Sequence, residues 1–168
     1  FPLVIKPANQ GSSIGVSILQ KEDEFKFMEA VEKALFTKWL DAAEWTKKSV
    51  AEKNEYIRQL SDIREGIGMP VKINDLVIYH PADLVDFLDT HLKGDAGFVL
   101  ESLDGENKVL VEGFIEGKEF SCIVLQNSDA TDNATKIVAL PPTEIRKGKE
   151  LFDYRSKYLP GLSRKITP

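Results

Sequence analysis

Apolar and polar residues alternate with the period of a strand at the start of the chain. The apolar run over 2–6 predicts a buried strand that Pro7 ends, and residues 14–19 alternate between apolar and small side chains. The polar stretch 8–15 between them contains glycine. The pattern therefore predicts two strands joined by a glycine-containing loop.

The pattern then changes to the period of a helix. Apolar residues three or four positions apart over 22–36 predict an amphipathic helix, and residues 37–68 continue as a charged, helix-rich stretch. Pro81 suits the first turn of a further helix over 81–92. The middle of the chain is therefore predicted to be mainly helical.

Strand-like patterns return in the last part of the sequence. The apolar runs 98–100 and 109–111 flank an Asp-Gly turn, which predicts a hairpin between them. Further strands are expected over 119–126 and 136–140. Residues 146–168 show little periodicity and are expected to form a loop that is mobile without ligand.

These elements predict an α+β fold in which helices cover one side of a mostly antiparallel sheet. With 168 residues, 42% of them hydrophobic, the chain is long enough to bury a sizeable core. The net charge of −5 disfavours nucleic acid or an anionic membrane as the main partner. The single cysteine, Cys122, lies in an alternating apolar run, is expected in the core, and is compatible with a reducing compartment.

The first loop combines glycines, serines and a lysine. Gly11 and Gly15 permit a close backbone approach to a ligand, and Ser12 and Ser13 add hydroxyl groups beside the positive charge of Lys6. The loop joins two strands, so it differs from a Walker A loop, which opens a helix. In isolation it fits either a phosphate-binding loop or a glycine-rich turn with a solvated lysine.

A second stretch places two carboxylates on either side of an apolar segment. Glu112 ends a strand, Gly113, Phe114 and Ile115 follow, and Glu119 comes seven residues after Glu112. An adenine ring needs an apolar slot with backbone N–H and C=O groups along one edge, and a ribose needs a carboxylate. An ordinary hairpin with exposed glutamates is the alternative.

A third stretch, residues 152–158, interleaves tyrosines with cations and includes Lys157 and Tyr158. Such a loop can close over an anionic ligand. Taken in isolation, the stretch fits better as a solvated loop whose tyrosines pack on the core.

The order of these stretches resembles one enzyme family. V-I-K-P-A-N-Q-G-S-S-I-G-V, L-V-E-G-F-I-E-G-K-E-F, L-P-P-T-E-I and F-D-Y-R-S-K-Y resemble the D-alanine-D-alanine ligases of the ATP-grasp superfamily, over residues 1–36 and 109–168. The resemblance implies the small ATP-binding subdomain of that fold. It also implies ATP-driven joining of two D-alanines through an acyl phosphate, for peptidoglycan precursors and hence cell wall and cell shape, in the cytoplasm.

The resemblance assigns roles to the residues at the phosphate end of ATP. Lys6 looks like the lysine that reaches the phosphates, and Ser12 and Ser13 look like serines of a flap over the phosphates and the acyl phosphate. Lys157 and Tyr158 look like loop residues that close on the phosphates and on a flap serine. Ser12 and Tyr158 would then be catalytic.

The resemblance also assigns roles at the adenosine end. Glu112 looks like the acid beside the adenine amino group, and the backbone of Gly113, Phe114 and Ile115 looks like the hinge along the adenine edge. Glu119 looks like the ribose-binding acid.

The resemblance implies parts that this sequence does not supply. The N- and C-terminal domains of the parent protein would hold D-alanine and the ligands for Mg²⁺, so the chain alone is expected to be inactive. Residues 37–108 have no recognised counterpart and are expected to be a helical insertion. A homodimer of the parent remains open.

Two other interpretations remain. One is a different ATP-grasp ligase that joins another carboxylate to an amine. The other is a non-catalytic nucleotide-binding module whose insertion binds a partner.

Overall fold

A computed structural model shows the fold and describes residues 1–126, 137–147 and 163–166. Every pair of neighbouring strands in these residues is antiparallel, which confirms the α+β class. The chain forms two compact units, Phe1–Phe114 and Ile115–Pro168. The elements are β1 (Leu3–Pro7), β2 (Ser17–Leu19), α1 (Glu24–Leu35), β3 (Thr37–Asp41), α2 (Ala42–Thr46), α3 (Val50–Leu60), β4 (Val71–Ile73), β5 (Leu76–Ile78), α4 (Pro81–His91), β6 (Gly97–Ser102), β7 (Val109–Gly113), β8 (Glu119–Ser121), β9 (Val124–Gln126), β10 (Ile137–Ala139), β11 (Thr143–Lys147) and β12 (Ser163–Ile166).

The first sheet of the first unit has the strand order β2-β1-β7 and packs against α1. Its core contains Ile5, Leu19, Ala30 and Ala34, all buried. Since side chains alternate along a strand, Ile5 faces α1 and Lys6 lies on the opposite face of the sheet. The predicted strand over 14–19 is shorter in the structure, because residues 12–15 form a turn.

Helix α1 begins and ends at defined caps. The side chain of Asp23 accepts a hydrogen bond from the backbone N–H of Lys26 at 3.0 Å, which satisfies a donor of the first turn. The helix ends at Phe36, whose backbone is left-handed with φ 56°. A bulky residue rarely adopts this conformation, and here the ring of Phe36 is fully packed in a core.

Residues 36–106, which lie between α1 and β7, have a core of their own, and we call them the connecting module. A four-stranded sheet of order β3-β6-β4-β5 is combined with α2, α3 and α4. Its buried residues are Phe36, Leu40, Ala42, Trp45, Ile57, Leu60, Ile67, Val71, Ile73, Ile78, Leu84, Leu88, Leu92 and Leu100.

The strands of the connecting module correct two predictions. Residues 37–41, predicted as helix, form β3, in which Leu40 is buried while Trp39 is half exposed, as expected for a strand. The hairpin predicted between 98–100 and 109–111 is wrong. Both edges of β6 are occupied by β3 and β4, so β7 pairs with β1 instead.

Hydrogen bonds join the two ends of the connecting module. The N–H of Ser102 donates to the carbonyl of Phe36 at 2.9 Å, and the N–H of Glu106 donates to the carbonyl of Leu35 at 3.2 Å. We call these four residues the neck. Through the neck, the end of the connecting module lies next to its beginning.

The described parts of the second unit form two small sheets. β11 lies between β8 and β12, and β9 pairs with β10. The predicted strand over 119–126 is broken between Ser121 and Val124, and Cys122 is exposed there, so its assignment to the core is wrong. Within the predicted loop 146–168, residues 163–166 form β12, and residues 148–162 lie outside the described part of the chain.

A polar link inside the connecting module generates a stability prediction. The buried Trp45 donates its indole N–H to Asp89 at 2.8 Å, and the ammonium of Lys53 lies 2.6 Å from the same carboxylate oxygen. The hydrogen bond from Lys53, with a further one from Trp45, holds the pKa of Asp89 below its ordinary value.

We therefore expect Asp89→Asn to lower the free energy of unfolding by about 1 kcal/mol at pH 7, since the partly exposed ion pair is lost. A carboxyl group whose folded pKa is lowered stabilises the fold above its unfolded pKa of about 4, and the contribution disappears as the pH falls through the folded value. Urea unfolding at several pH values between 7 and 3, followed by tryptophan fluorescence, measures the free energy of unfolding of the unaltered chain and of Asp89→Asn. Asp86→Asn, on the exposed side of α4, is the control. If Asp89→Asn lowered the free energy of unfolding by the same amount at every pH, the charge of Asp89 would not be the cause of the stabilisation.

Candidate functional site

A lysine and a glutamate meet on the face of the first sheet that points away from α1. Val4 lies opposite Glu112 and Lys6 lies opposite Leu110, so Lys6 and Glu112 are diagonal neighbours on adjacent strands. The Nζ of Lys6 lies 2.6 Å from a carboxylate oxygen of Glu112, and 34% of the Lys6 side chain is exposed. A pair this exposed adds little to the free energy of folding, but it shows that the ammonium group of Lys6 can reach the carboxylate at the end of β7.

Apolar side chains surround this charged pair. Val4 lies opposite Ile18 on β2, and Leu110 on β7 has 43% of its surface exposed. These residues share the face of Lys6 because positions two apart on a strand point the same way. The face therefore combines an apolar platform with one positive and one negative group.

The loop between β1 and β2, residues 8–16, contains two serines in an unusual backbone conformation. Ser12 and Ser13 have φ values of 55° and 59°, and the N–H of Ile14 donates to the carbonyl of Gly11 at 3.1 Å. A left-handed conformation costs on the order of 1 kcal/mol for each residue with a side chain. Such a turn persists only where its surroundings hold it.

The incoming side of this loop is held by a carboxylate. Glu106 accepts a hydrogen bond from the backbone N–H of Asn9 at 2.9 Å and a second from the Asn9 side-chain amide at 3.0 Å. Each carboxylate oxygen has one donor, so the pair is bidentate. The link joins the loop to the neck of the connecting module.

The outgoing side of the loop is held by packing. Ile14 packs against the core of the connecting module. Gly15 has φ 74°, and a Cβ atom there would lie 2.7 Å from Cγ of Pro7 and 3.1 Å from Cζ of Phe36. Only glycine fits this position, because a side chain would meet both the backbone strain and the two rings.

The residues after β7 form the end of the first unit. Gly113 lies opposite Leu3, and the N–H of Phe114 donates to the carbonyl of Pro2 at 3.0 Å, so the pairing extends one residue past the strand. Ile115, the first residue of the second unit, has 90% of its surface exposed. In the described residues, no hydrogen bond involves the backbone of Ile115.

In the second unit, Glu119 lies on β8 and is half-buried opposite Ile145 of β11. The neighbouring Glu144 accepts a hydrogen bond from Arg146 at 3.1 Å and lies 3.8 Å from the ammonium of Lys118. These cations, Arg146 first, hold the pKa of Glu144 below its ordinary value. Glu144 therefore stays charged at neutral pH.

The structure thus brings two of the residues predicted from the sequence into direct contact, Lys6 and Glu112. Ser12 and Ser13 lie in the same unit, on the loop that follows Lys6. Lys157 and Tyr158 fall outside the described residues.

Asn9 and Glu106 were not identified from the sequence. They are 97 positions apart, and neither stands in a motif that suggests a pair.

The part of the chain that the structure describes contains no group of three or more His, Cys, Asp or Glu side chains that could hold a metal ion. None of its helices is both long enough and apolar enough to cross a bilayer.

Comparison with a family model adds an independent finding. The model described as "D-ala D-ala ligase C-terminus" matches residues 1–61 and 95–167. The match includes the two-serine loop, the Lys6–Glu112 pair and Glu119. It leaves out residues 62–94, whereas 37–61 and 95–108 fall inside it, so the extent of the insertion stays a prediction.

Relatives of known name agree with the family model. A D-alanine–D-alanine ligase of Desulforamulus reducens is 34% identical over 126 residues, which cover 73% of this chain and 36% of the relative. One from Leptospira interrogans serogroup Icterohaemorrhagiae serovar copenhageni is 43% identical over 77 residues, which cover 46% of this chain and 20% of the relative. The chain thus spans between a fifth and about a third of the length of these relatives. Because the family model matches most of its residues, the chain belongs to the family of D-alanine–D-alanine ligase C-terminal domains.

Proposed function

We propose that this chain supplies ATP-binding residues of a D-alanine–D-alanine ligase. The observation that carries the proposal is the contact between Lys6 and Glu112, on an apolar sheet face that adjoins a two-serine loop, in a chain of this family. We call the loop, residues 8–16, the flap. The whole enzyme would act in the cytoplasm on precursors of peptidoglycan.

The phosphate end of ATP would be bound by Lys6 and the flap. The contact with Glu112 favours conformations of Lys6 that keep its ammonium group on this sheet face, where it would bind the phosphates. The flap would cover the phosphates with Ser12 and Ser13, and Ser12 would contact the reacting phosphoryl group. Lys157 and Tyr158 would act on the same phosphates, with Tyr158 in a catalytic role.

The adenosine end would lie along the end of β7. Glu112 would accept a hydrogen bond from the adenine amino group, and the backbone of Gly113, Phe114 and Ile115 would line the ring edge. The N–H of Phe114 is bound to Pro2, so the N–H of Ile115 and the carbonyl of Gly113 are the groups we assign to adenine. Glu119 would accept from the ribose hydroxyls.

The proposed reaction of the whole enzyme has two steps. The carboxylate of one D-alanine attacks the γ-phosphorus of ATP and releases ADP, which gives an acyl phosphate. The amine of a second D-alanine then attacks the acyl carbon, and phosphate leaves as the peptide bond forms. Lys6 would offset negative charge on the phosphates throughout, which is electrostatic stabilisation of the transition state.

Magnesium would supply further positive charge at the phosphates of such an enzyme. The described residues offer no carboxylate cluster to bind it, and the steps assigned to this chain do not depend on it. We propose that the D-alanine sites and the metal ligands belong to other parts of the protein.

Measurements of ATP binding test the role of Lys6. In a ¹⁵N–¹H NMR titration, we expect ATP to shift amide signals of the flap and of residues 112–115, and Lys6→Ala to weaken ATP binding about tenfold or more, since a charge-assisted contact is lost. Affinity for adenosine should fall much less, because adenosine lacks the phosphates. Lys21→Ala, an exposed lysine after β2, is the matched control. Shifts confined to the sheet and helices of the connecting module would contradict the proposal.

The preference for adenine over guanine tests the adenosine end of the proposed site. Guanine presents an oxygen and an N–H where adenine presents an amino group and an unprotonated nitrogen, so Glu112 and the N–H of Ile115 would face groups of the wrong type. We expect ATP to bind at least tenfold more tightly than GTP, which corresponds to about 1.4 kcal/mol. Glu112→Gln should narrow this gap, because an amide can also donate. Equal affinities for the two nucleotides, measured by calorimetry, would count against the adenine assignment.

A further inference from the structure

We propose that the connecting module positions the flap, and that Glu106 is the positioning residue through which it does so. The inference rests on the proposed function, because it assigns the flap to the phosphates of ATP. It concerns contacts inside the first unit only. Neither the family match nor the names of the relatives assign a role to Glu106.

The contact on the incoming side of the flap is specific. Both carboxylate oxygens of Glu106 accept from Asn9, one from the backbone N–H and one from the side-chain amide. A backbone donor cannot rotate away from the chain, so the bond at 2.9 Å fixes the path of the flap immediately after Pro7 and Ala8.

The contact on the outgoing side reaches the same module. Gly15 lies so close to the ring of Phe36 that a Cβ atom would come within 3.1 Å of it, and Ile14 packs against the module's core. Ser12 and Ser13, the two strained residues, stand between these attachments. The flap is therefore held on both sides of its turn.

The two attachments meet at the neck. The N–H of Glu106 donates to the carbonyl of Leu35, and Phe36 is the next residue along the chain. The carboxylate that holds Asn9 and the ring that meets Gly15 thus come from the point where the module closes. A well-formed neck holds both sides of the flap, and the connecting module supplies the core that keeps it formed.

A flap that is ordered before ATP binds should raise the affinity for ATP. Ordering a loop on a ligand opposes binding, and a loop that is already ordered avoids most of that penalty. Only the part of ATP beneath the flap gains from this. Glu106 should therefore raise affinity for ATP and leave affinity for adenosine unchanged.

The test compares three variants of this chain by calorimetry with ATP and with adenosine. Glu106→Ala removes both acceptors, and we expect ATP affinity to fall about tenfold while adenosine affinity stays constant. Glu106→Gln should restore ATP binding. Its amide oxygen can accept from the backbone N–H of Asn9, and its amide nitrogen can donate to Oδ1 of Asn9 once the Asn9 amide has flipped by 180°. Asp104→Ala, an exposed carboxylate in the same connection, is the control.

Amide hydrogen exchange tests the inference without any ligand. The N–H of Ile14 is bound to the carbonyl of Gly11, so its exchange rate reports whether the flap turn is formed. We expect Glu106→Ala to speed exchange at Ile14 several-fold and to leave the amides of α3 unchanged.

Three results would overturn the inference. They are unchanged exchange at Ile14, unchanged ATP affinity in Glu106→Ala, and equal losses for ATP and adenosine. Failure of the unaltered chain to bind either ligand would instead contradict the proposed function, and the exchange experiment would still decide the role of Glu106.

Discussion

The antiparallel pairing of β1 with β7 is the interaction on which the candidate site depends. It places Leu3 opposite Gly113 and brings Lys6 within 2.6 Å of Glu112 across more than a hundred positions of sequence. It also fixes which face each residue takes, because a shift of one residue would turn Lys6 toward α1. The charged pair, the apolar platform around it and the position of Gly113 all depend on this register.

Residues 36–106 separate β1 and α1 from β7, so the register can form only if this stretch begins and ends close together. The connecting module achieves this with its own core and a hydrogen-bonded neck, so the long excursion ends beside the strand it must pair with. The same neck carries Glu106 and Phe36, which hold the flap. Packing in the module and geometry at the flap are therefore linked by short covalent and hydrogen-bonded paths within the first unit.

Local residue types and the order of the motifs point to candidate site residues in the sequence. Lys6 and Glu112 each end an apolar run, the flap contains glycines and serines, and the family resemblance is what assigns roles to them. The pairing of β7 was missed, because an Asp-Gly turn predicts a hairpin and says nothing about which edges of β6 are already taken. The link between Asn9 and Glu106 joins distant positions that carry no local signal.

Local sequence patterns also gave wrong predictions for Thr37–Asp41 and for Cys122, because both depend on which strands pair. The charged stretch 37–68 has a helical composition, yet Thr37–Asp41 form a strand because β6 offers them an edge. Cys122 follows the alternation of a buried strand, but the strand ends at Ser121 and leaves it exposed. In each case a tertiary pairing, or its interruption, overrode a pattern that was locally consistent.

Affinity labelling can detect whether Lys6 contacts the phosphates of ATP. An acyl phosphate of ATP transfers its acyl group to a lysine amine beside the bound phosphates, with the nucleotide as leaving group, and mass spectrometry then locates the modified residue. If Lys6 lies beside the phosphates, it should be labelled, and excess ATP should suppress the labelling more than adenosine does. Labelling of other lysines with Lys6 unmodified, or labelling of Lys6 that ATP does not reduce, would show that Lys6 does not contact the phosphates.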